Sequence, residues 1–220
     1  MQAGDMQESA IQMPGIDTVV FDLGGVLIDW DPRHLYRQVF ADPAGMEQFL
    51  AEVCTPAWNA AQDAGRGWDE AVAELSAQHP AHAPHIALYR DRWAEMLAGP
   101  IEGTVRIMAR LRAQGLRLFA LTNWSGETFP VARERYGFLG DFLGILVSGE
   151  EGLVKPDPAI FALMQRRFAL DPARTLFIDD APRNVEAARA AGLHAIRFED
   201  PAALDAALAG YRLVAPGSGR

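Results

Sequence analysis

Short apolar runs alternate with amphipathic segments along most of this chain. The runs predict five buried strands, at Thr18–Phe21, Leu116–Leu121, Ile145–Val147, Thr175–Ile178 and His194–Phe198. Apolar residues at helical spacing predict helices at Thr104–Gln114, Thr128–Tyr136, Asp157–Phe168, Pro182–Ala191 and Pro201–Ala209. Strands that alternate with helices in this way predict βαβ units. We therefore expect an α/β fold with a mainly parallel, five-stranded sheet and helices on both faces.

The stretch between the first two predicted strands has a different pattern. From Trp30 to Gly99 the apolar residues recur at helical spacing, and no run in this stretch predicts a strand. We expect residues 32–99, called the helical insert below, to form a small helical unit. The α/β core then comprises residues 16–31 and 100–213. Residues 1–15 and 214–220 are predicted to be flexible termini.

Five Asp-Pro pairs predict where helices begin. An aspartate at the N-cap followed by proline at the first helical position is a common helix start. We interpret these five aspartates as caps rather than as catalytic groups. They are Asp31, Asp42, Asp157, Asp171 and Asp200.

Composition and charge narrow the possible partners. The formal net charge of −9 argues against a nucleic-acid surface, although a local site for a phosphate can still be positive. No apolar run is long enough to span a bilayer, so no membrane partner is expected. Cys54 is the only cysteine, which excludes an intrachain disulfide and fits a cytoplasmic protein. The sequence does not indicate an oligomeric state.

Polar residues stand at the ends of three predicted strands. Asp22 ends the first strand, Thr122 and Asn123 end the second, and Asp179 and Asp180 end the fourth. The carboxyl ends of parallel strands lie on one edge of a sheet, where such folds bind ligands. Asp22 alone could be a nucleophile, a metal ligand or a turn residue. Carboxylates that converge favour a bound cation, and an all-oxygen site near a phosphate favours Mg²⁺.

Lys155 follows the third predicted strand and directly precedes a capped helix. A lysine in such a loop is most often solvated. At the mouth of a carboxylate site it could instead pair with Asp22 and with phosphoryl oxygens. Its position after a strand favours the second interpretation.

Four motifs in order resemble those of the haloacid dehalogenase-like hydrolase superfamily. They are Phe21–Asp29, Leu121–Asn123, Lys155–Pro158, and Phe177–Asp180 together with Asn184–Ala188. The resemblance covers residues 16–31 and 103–198. It implies a Rossmann-like core with a movable cap, and the helical insert resembles the small helical cap of that superfamily. Among its members, the glucose-1-phosphate phosphatases are the most similar in pattern.

The resemblance implies catalytic and substrate-binding roles for four residues. Asp22 resembles the nucleophile that accepts the phosphoryl group as an aspartyl-phosphate. Lys155 resembles the catalytic cation that neutralises charge on the nucleophile and the phosphate. Thr122 resembles the hydroxyl that binds phosphoryl oxygens, with Asn123 beside it.

The resemblance also implies a Mg²⁺ site. Asp22, the backbone carbonyl of Gly24 and the carboxylate of Asp180 would be its ligands. Asp179 would be either a further ligand or a partner that supports the others. A carboxylate attacks a phosphate dianion poorly unless a metal and a lysine screen the repulsion, so these roles agree with the chemistry.

Gly24 departs from the phosphatase pattern of the superfamily. That pattern has a second aspartate here, which protonates the leaving group and later deprotonates water. A glycine cannot exchange a proton, so we expect a preference for good leaving groups and a steep dependence of rate on leaving-group pKa. If another residue supplies the proton, Asp29 or a residue of the helical insert is the next candidate.

The sequence therefore predicts a Mg²⁺-dependent phosphatase of a small phosphorylated metabolite, for which a sugar phosphate is one option. A hydrolytic 2-haloacid dehalogenase also lacks the second aspartate, but dehalogenases lack the paired Asp179-Asp180 as well and need no metal. A binding or regulatory protein that has lost catalysis is a third alternative.

Overall fold

The computed structural model describes residues 15–211 and 213. Its strands are β1 (Thr18–Phe21), β2 (Ile28–Trp30), β3 (Leu97–Pro100), β4 (Arg117–Thr122), β5 (Gly144–Val147), β6 (Thr175–Asp179) and β7 (His194–Arg197). Five of these strands form one parallel sheet in the order β5-β4-β1-β6-β7, which confirms the predicted fold class. The predictions for residues 1–14 and 214–220 lie outside the described residues.

The helices divide between the insert and the core. Those of the helical insert are α1 (Pro32–Tyr36), α2 (Pro43–Glu52), α3 (Pro56–Asp63), α4 (Trp68–Gln78) and α5 (Ala83–Asp91), with short 3-10 helices at Pro80–His82 and Trp93–Met96. Those of the core are α6 (Glu102–Ala113), α7 (Phe129–Arg135), α8 (Ser148–Glu151), α9 (Pro158–Phe168), α10 (Pro182–Ala190) and α11 (Pro201–Gly210), with 3-10 helices at Gly137–Asp141 and Pro172–Arg174. Within the described part of the chain, no helix is long and apolar enough to cross a membrane.

The Asp-Pro pairs cap helices as predicted. Each of the five aspartate side chains accepts a hydrogen bond from a backbone N–H in the first turn of the helix that follows it. Proline at the first helical position lacks an N–H that the helix would leave unpaired, so it fits this place without loss. These carboxylates are therefore structural.

The central strand β1 separates two hydrophobic clusters. Val20 packs in one cluster with residues of β4, β6, α9 and α10. Val19 and Phe21 point to the other face of the sheet and pack in a cluster that continues into the helical insert, where it includes Tyr36 and Phe49. Because side chains alternate along a strand, the one strand contributes to both faces. The insert and the core thus share one continuous apolar cluster.

A strand lies at each end of the stretch from Trp30 to Gly99, so the prediction that this stretch contains no strand is wrong. Strands β2 and β3 form a two-stranded antiparallel ribbon, in which Ile28 pairs with Pro100 and Trp30 with Leu97. The strands are only three and four residues long, and β3 contains glycine and proline, so they carry no periodic pattern. They form because the two connections between insert and core lie side by side.

Candidate active site

The ends of β1, β4 and β6 converge as the motif order predicts. Strand β1 lies between the other two, and Phe21 is in register with Ala120 on one side and Ile178 on the other. The backbone N–H of Asp22 donates to the carbonyl of Ile178 at 2.8 Å, so Asp22 lies next to Asp179. Carboxylate oxygens of Asp22, Asp179 and Asp180 all lie within 4.8 Å of one another.

Lys155 is buried in this cluster and is not a solvated loop residue. Its side chain is 0% exposed, and its Nζ lies 2.9 Å from Asp22 Oδ2 and 2.7 Å from Asp179 Oδ2. Burial opposes the charged form, but the two carboxylates raise the pKa of Lys155 above its ordinary value. The lysine is therefore a fixed positive charge between the two carboxylates.

The electrostatics of Asp22 favour an additional cation. Burial raises the pKa of Asp22; Lys155 lowers it, and the charges of Asp179 and Asp180 raise it further. Three carboxylates thus face a single ammonium group, and their mutual repulsion is only partly relieved. The donors are all oxygen atoms, which is the ligand set that hard divalent cations such as Mg²⁺ prefer.

The two adjacent aspartates of β6 have different environments. Asp179 is fully buried and accepts hydrogen bonds from Lys155, from the backbone N–H of Ala181 at 2.9 Å, and from Asn184 at 3.0 and 3.1 Å. Asp180 is exposed, and its carboxylate faces the turn at Gly25. Asp179 is thus occupied by protein donors, whereas Asp180 is open to solvent.

Asn184 is a site residue to which the sequence analysis gives no role. It lies in the first turn of α10 and donates to both oxygens of Asp179, so it holds that carboxylate in place. Its occurrence one helical turn after the Asp-Asp pair, inside the fourth motif, is the signal that could have identified it.

The two polar residues at the end of β4, Thr122 and Asn123, differ in hydrogen bonding. Thr122 is buried, and its hydroxyl has no hydrogen-bond partner among the described residues. Asn123 accepts from the backbone N–H of Lys155 at 2.8 Å and donates to the carbonyl of Lys155 at 2.9 Å. The Thr122 hydroxyl is therefore available to a phosphoryl oxygen, whereas Asn123 positions the lysine backbone.

Gly24 and Gly25 occupy the turn after Asp22 for different reasons. A Cβ atom on Gly24 would meet nothing within 4 Å in the described part of the chain. Gly25 has φ = +74°, and a Cβ there would lie 2.7 Å from Asp180 Oδ2. Gly25 is thus required by both its backbone angle and its neighbour, but Gly24 is not.

We expect Gly25→Ala to destabilise the protein and Gly24→Ala to leave its stability nearly unchanged. The left-handed backbone alone costs an alanine about 1–2 kcal/mol, and the displaced Asp180 carboxylate adds to this. Thermal unfolding of the two variants measures the difference. Equal melting temperatures would show that the turn relaxes freely around a side chain.

A small cavity separates this cluster from the helical insert. It has a volume of about 50 Å³, enough for a few water molecules. Gly24, Trp30 and Asn123 line it from the core, and Asn59 and Asp63 line it from the helical insert. No sequence motif pointed to Asn59 or Asp63, because each lies within an ordinary amphipathic helix. The insert therefore brings polar groups to the strand-end site.

A larger cavity lies within the helical insert. It has a volume of about 680 Å³, and it shares Trp30 and Asn59 with the small cavity. Leu50, Cys54 and Tyr89 contribute to its lining. Burial raises the pKa of the Cys54 thiol to about 12, so this cysteine is a packed apolar group. The volume suits a small organic molecule.

Curated relatives of the chain include phosphatases of different substrates. A sesquiterpene phosphatase of Aspergillus oryzae is 25% identical over 82% of this chain and 89% of its own length. The N-acetylmuramic acid 6-phosphate phosphatase of Pseudomonas aeruginosa is 26% identical over 80% of this chain and 79% of its own. Acyl-CoA dehydrogenase family member 10 of Mus musculus is 35% identical over 43% of this chain. The chain spans 9% of that mouse protein.

Solved structures share the fold at lower identity. A HAD-like family hydrolase of Porphyromonas gingivalis superposes with a TM-score of 0.69 at 24% identity, covering 89% of this chain and 97% of its own. A HAD family enzyme of Bacteroides thetaiotaomicron, in complex with magnesium and inorganic phosphate, has a TM-score of 0.63 at 21% identity, over 84% and 96%. L-2-haloacid dehalogenase of Xanthobacter autotrophicus, with chloropropionic acid covalently bound, has a TM-score of 0.59 at 18% identity, over 89% and 83%.

A match to a protein-family model covers most of the chain. The model described as haloacid dehalogenase-like hydrolase matches residues 16–192, from the residues before β1 through α10. This range includes the four motifs and the whole helical insert. With the parallel sheet order and the converging strand ends, it shows that the chain belongs to the haloacid dehalogenase-like hydrolases.

Proposed function

We propose that the protein is a Mg²⁺-dependent phosphatase that hydrolyses a small phosphorylated metabolite through an aspartyl-phosphate on Asp22. One observation carries the proposal: buried Lys155 bridges Asp22 and Asp179, and Asp180 lies beside them. The phosphatases among the curated relatives and the magnesium–phosphate complex of a structural neighbour support the same chemistry.

In the first half of the reaction, a carboxylate oxygen of Asp22 attacks the phosphorus atom and the ester bond breaks. Lys155 lies against the same carboxylate and reduces its repulsion with the phosphoryl oxygens. The unpaired hydroxyl of Thr122 donates to one of these oxygens. In the second half, water attacks the phosphorus atom and releases Asp22.

The proposed Mg²⁺ would be held by Asp22, Asp180 and the backbone carbonyl of Gly24. The oxygens of Asp179 already accept hydrogen bonds from Lys155 and Asn184, so Asp179 would position Lys155 rather than bind the ion directly. When bound, the ion supplies positive charge that neutralises the phosphoryl oxygens.

We propose that the helical insert acts as the cap of this enzyme. It covers the strand-end cluster across the small cavity, and its larger cavity has room for the organic part of a substrate. Closure over the site would exclude bulk water during phosphoryl transfer. Sugar phosphates are among the first substrates to test.

Metal removal tests this function. We expect phosphate release from a panel of phosphorylated metabolites to stop in EDTA and to return with added Mg²⁺. Asp180→Ala should raise the Mg²⁺ concentration needed for activity more than Asp179→Ala does, because Asp180 is the exposed carboxylate. Activity that is insensitive to EDTA would contradict the proposal.

A 2-haloacid dehalogenase is the second candidate, because Gly24 lacks the proton-donating side chain that phosphatases of this superfamily have. Halide release from 2-haloacids that persists in EDTA would favour it. Mg²⁺ and phosphate binding without turnover of either class would instead indicate a binding protein.

A further inference from the structure

The proposed reaction needs a proton donor for the leaving group. At position 24, where phosphatases of this superfamily carry an aspartate, this chain has a glycine. When the ester bond breaks, the leaving oxygen receives the bonding electron pair and must be protonated unless it leaves as an anion. Gly24 has no side chain to do this. Because a Cβ on Gly24 would meet nothing within 4 Å among the described residues, this position opens onto free space.

Asp63 and Gly24 line the same small cavity. Asp63 is the last residue of α3, and Asn123 lines the cavity with it. The side chain of Asn59, one turn earlier in the helix, donates to Asp63 Oδ2 at 3.0 Å. The backbone N–H of Ser125, in the loop after β4, lowers the pKa of this carboxyl. Asp63 is thus held by both the insert and the core.

The backbone of Asp63 is fixed to the core as well. The hydroxyl of Ser148, at the start of α8, donates to the carbonyl of Asp63 at 2.5 Å. Helix α3 packs against α8 at this point. In this structure, contacts with the core therefore fix the position of the end of α3 relative to the strand-end site.

The protonation state of Asp63 suits proton exchange near neutral pH. Burial raises the pKa of Asp63 to about 7, although the Ser125 N–H and the charge of Lys155 act in the opposite direction. Other ionisable groups near Asp63 include the phenol of Tyr89 on α5, which the charge of Asp63 affects. Glu150 and Glu151 lie on α8, and Glu127 lies in the loop after β4. A general acid is most effective when its pKa lies near the working pH.

We propose that Asp63 is the catalytic acid and base of this enzyme, acting from the helical insert in place of the missing side chain at Gly24. This inference rests on the proposed phosphatase function. As Asp22 forms its bond to phosphorus, the leaving oxygen takes the proton of Asp63. The resulting carboxylate then takes a proton from the water that attacks phosphorus, and the Asp22–phosphorus bond breaks with its electron pair returning to Asp22.

The test is the rate of Asp63→Asn on two phosphate esters. For an alkyl phosphate, whose leaving alcohol needs a proton, we expect kcat/KM to fall by roughly 10²–10⁴-fold. For 4-nitrophenyl phosphate, whose phenolate leaves unaided, we expect a loss below about tenfold. In the wild type, kcat/KM should depend only weakly on leaving-group pKa. Without a proton from Asp63, the glycine at position 24 predicts a steep dependence.

Two further variants separate proton transfer from a structural role. Gly24→Asp combined with Asp63→Asn should recover hydrolysis of the alkyl phosphate, because the open space at Gly24 admits a carboxylate. Asp69→Asn, which alters an exposed carboxylate of the same insert, should change neither rate. Circular dichroism and melting curves verify folding. If Asp63→Asn does not fold, the wild-type ratio of alkyl to nitrophenyl rates must still fall above about pH 7.

Each outcome is decisive. An equal loss of kcat/KM on both esters in folded Asp63→Asn, or a ratio of the two kcat/KM values that does not change with pH, overturns the role of Asp63 and leaves the phosphatase function intact. A wild-type protein that hydrolyses neither these esters nor any phosphorylated metabolite of the panel overturns the proposed function and this inference together.

Discussion

Asp22→Asn is expected to lower the rate of phosphate release by roughly 10⁴-fold or more, the scale on which removal of a nucleophile acts. An amide does not attack phosphorus, so no aspartyl-phosphate can form. The amide oxygen can still accept the 2.7 Å hydrogen bond from the backbone N–H of Leu23, so the turn should be retained. Steady-state phosphate release measures the effect.

The fold of Asp22→Asn should be intact or more stable than the wild type. Burial raises the pKa of Asp22, which means that its charged form is disfavoured in the folded state. The neutral asparagine avoids that cost at pH values above the pKa that Asp22 has in the unfolded chain. Asp91→Asn is the matched control, since Asp91 is half-exposed and pairs only with Arg90 among the described residues.

Beryllium fluoride offers a direct test of the nucleophile. It should trap an adduct on Asp22 in the wild type and none in Asp22→Asn. An active Asp22→Asn protein, with deamidation excluded by mass spectrometry, would contradict the covalent mechanism.

Lys155→Met is expected to reduce both stability and activity. It leaves Asp22 and Asp179 buried without their ammonium partner, and breaking a buried ion pair in this way typically costs about 3–5 kcal/mol. Loss of a group that stabilises the transition state should slow the reaction by roughly 10²–10³-fold. Urea unfolding and phosphate release measure the two effects.

The stability loss in Lys155→Met should depend on pH. Without the lysine, the pKa of Asp22 rises further, so in the absence of divalent cations the loss is largest at pH 8. It should shrink as the pH falls and the Asp22 carboxyl becomes protonated. Arg167→Met is the control, because it removes an exposed ion pair with Glu151 worth at most about 1 kcal/mol. A similar loss in both variants would mean that the buried pair has no special role.

Local patterns in the sequence were enough to predict the core. Strand β1 is apolar on consecutive positions because both faces of the central strand are covered, and the polar residues at strand ends follow from the parallel topology. The Asp-Pro caps are likewise local, since the cap and the N–H that it accepts lie within one turn of each other. Strands β2 and β3 were not predicted because residues about 70 positions apart pair in them. Neither strand shows a periodic pattern of apolar residues in the sequence.

Within the candidate site, the order of the motifs predicted which residues converge. It did not predict which hydrogen bonds each residue forms or which residues are buried. The place of Asn123 beside the substrate stays a prediction, and nothing in the sequence indicates that its amide is bonded to the backbone of Lys155. Lys155 is the only lysine in a chain otherwise rich in arginine, yet its burial could not be read from the loop that carries it. Burial depends on every element packed around a residue.

By itself the sequence determined the α/β core, the strand ends that meet, and the absence of an acid at Gly24, because each is written in residues close together in the chain. The tertiary structure alone decided that Asp63 lines the same small cavity as Gly24 and that burial raises the pKa of its carboxyl. That position results from the docking of α3 against α8 and the loop after β4, which lie far from α3 in the chain. Contacts of this kind depend on how whole elements pack, and no local pattern records them.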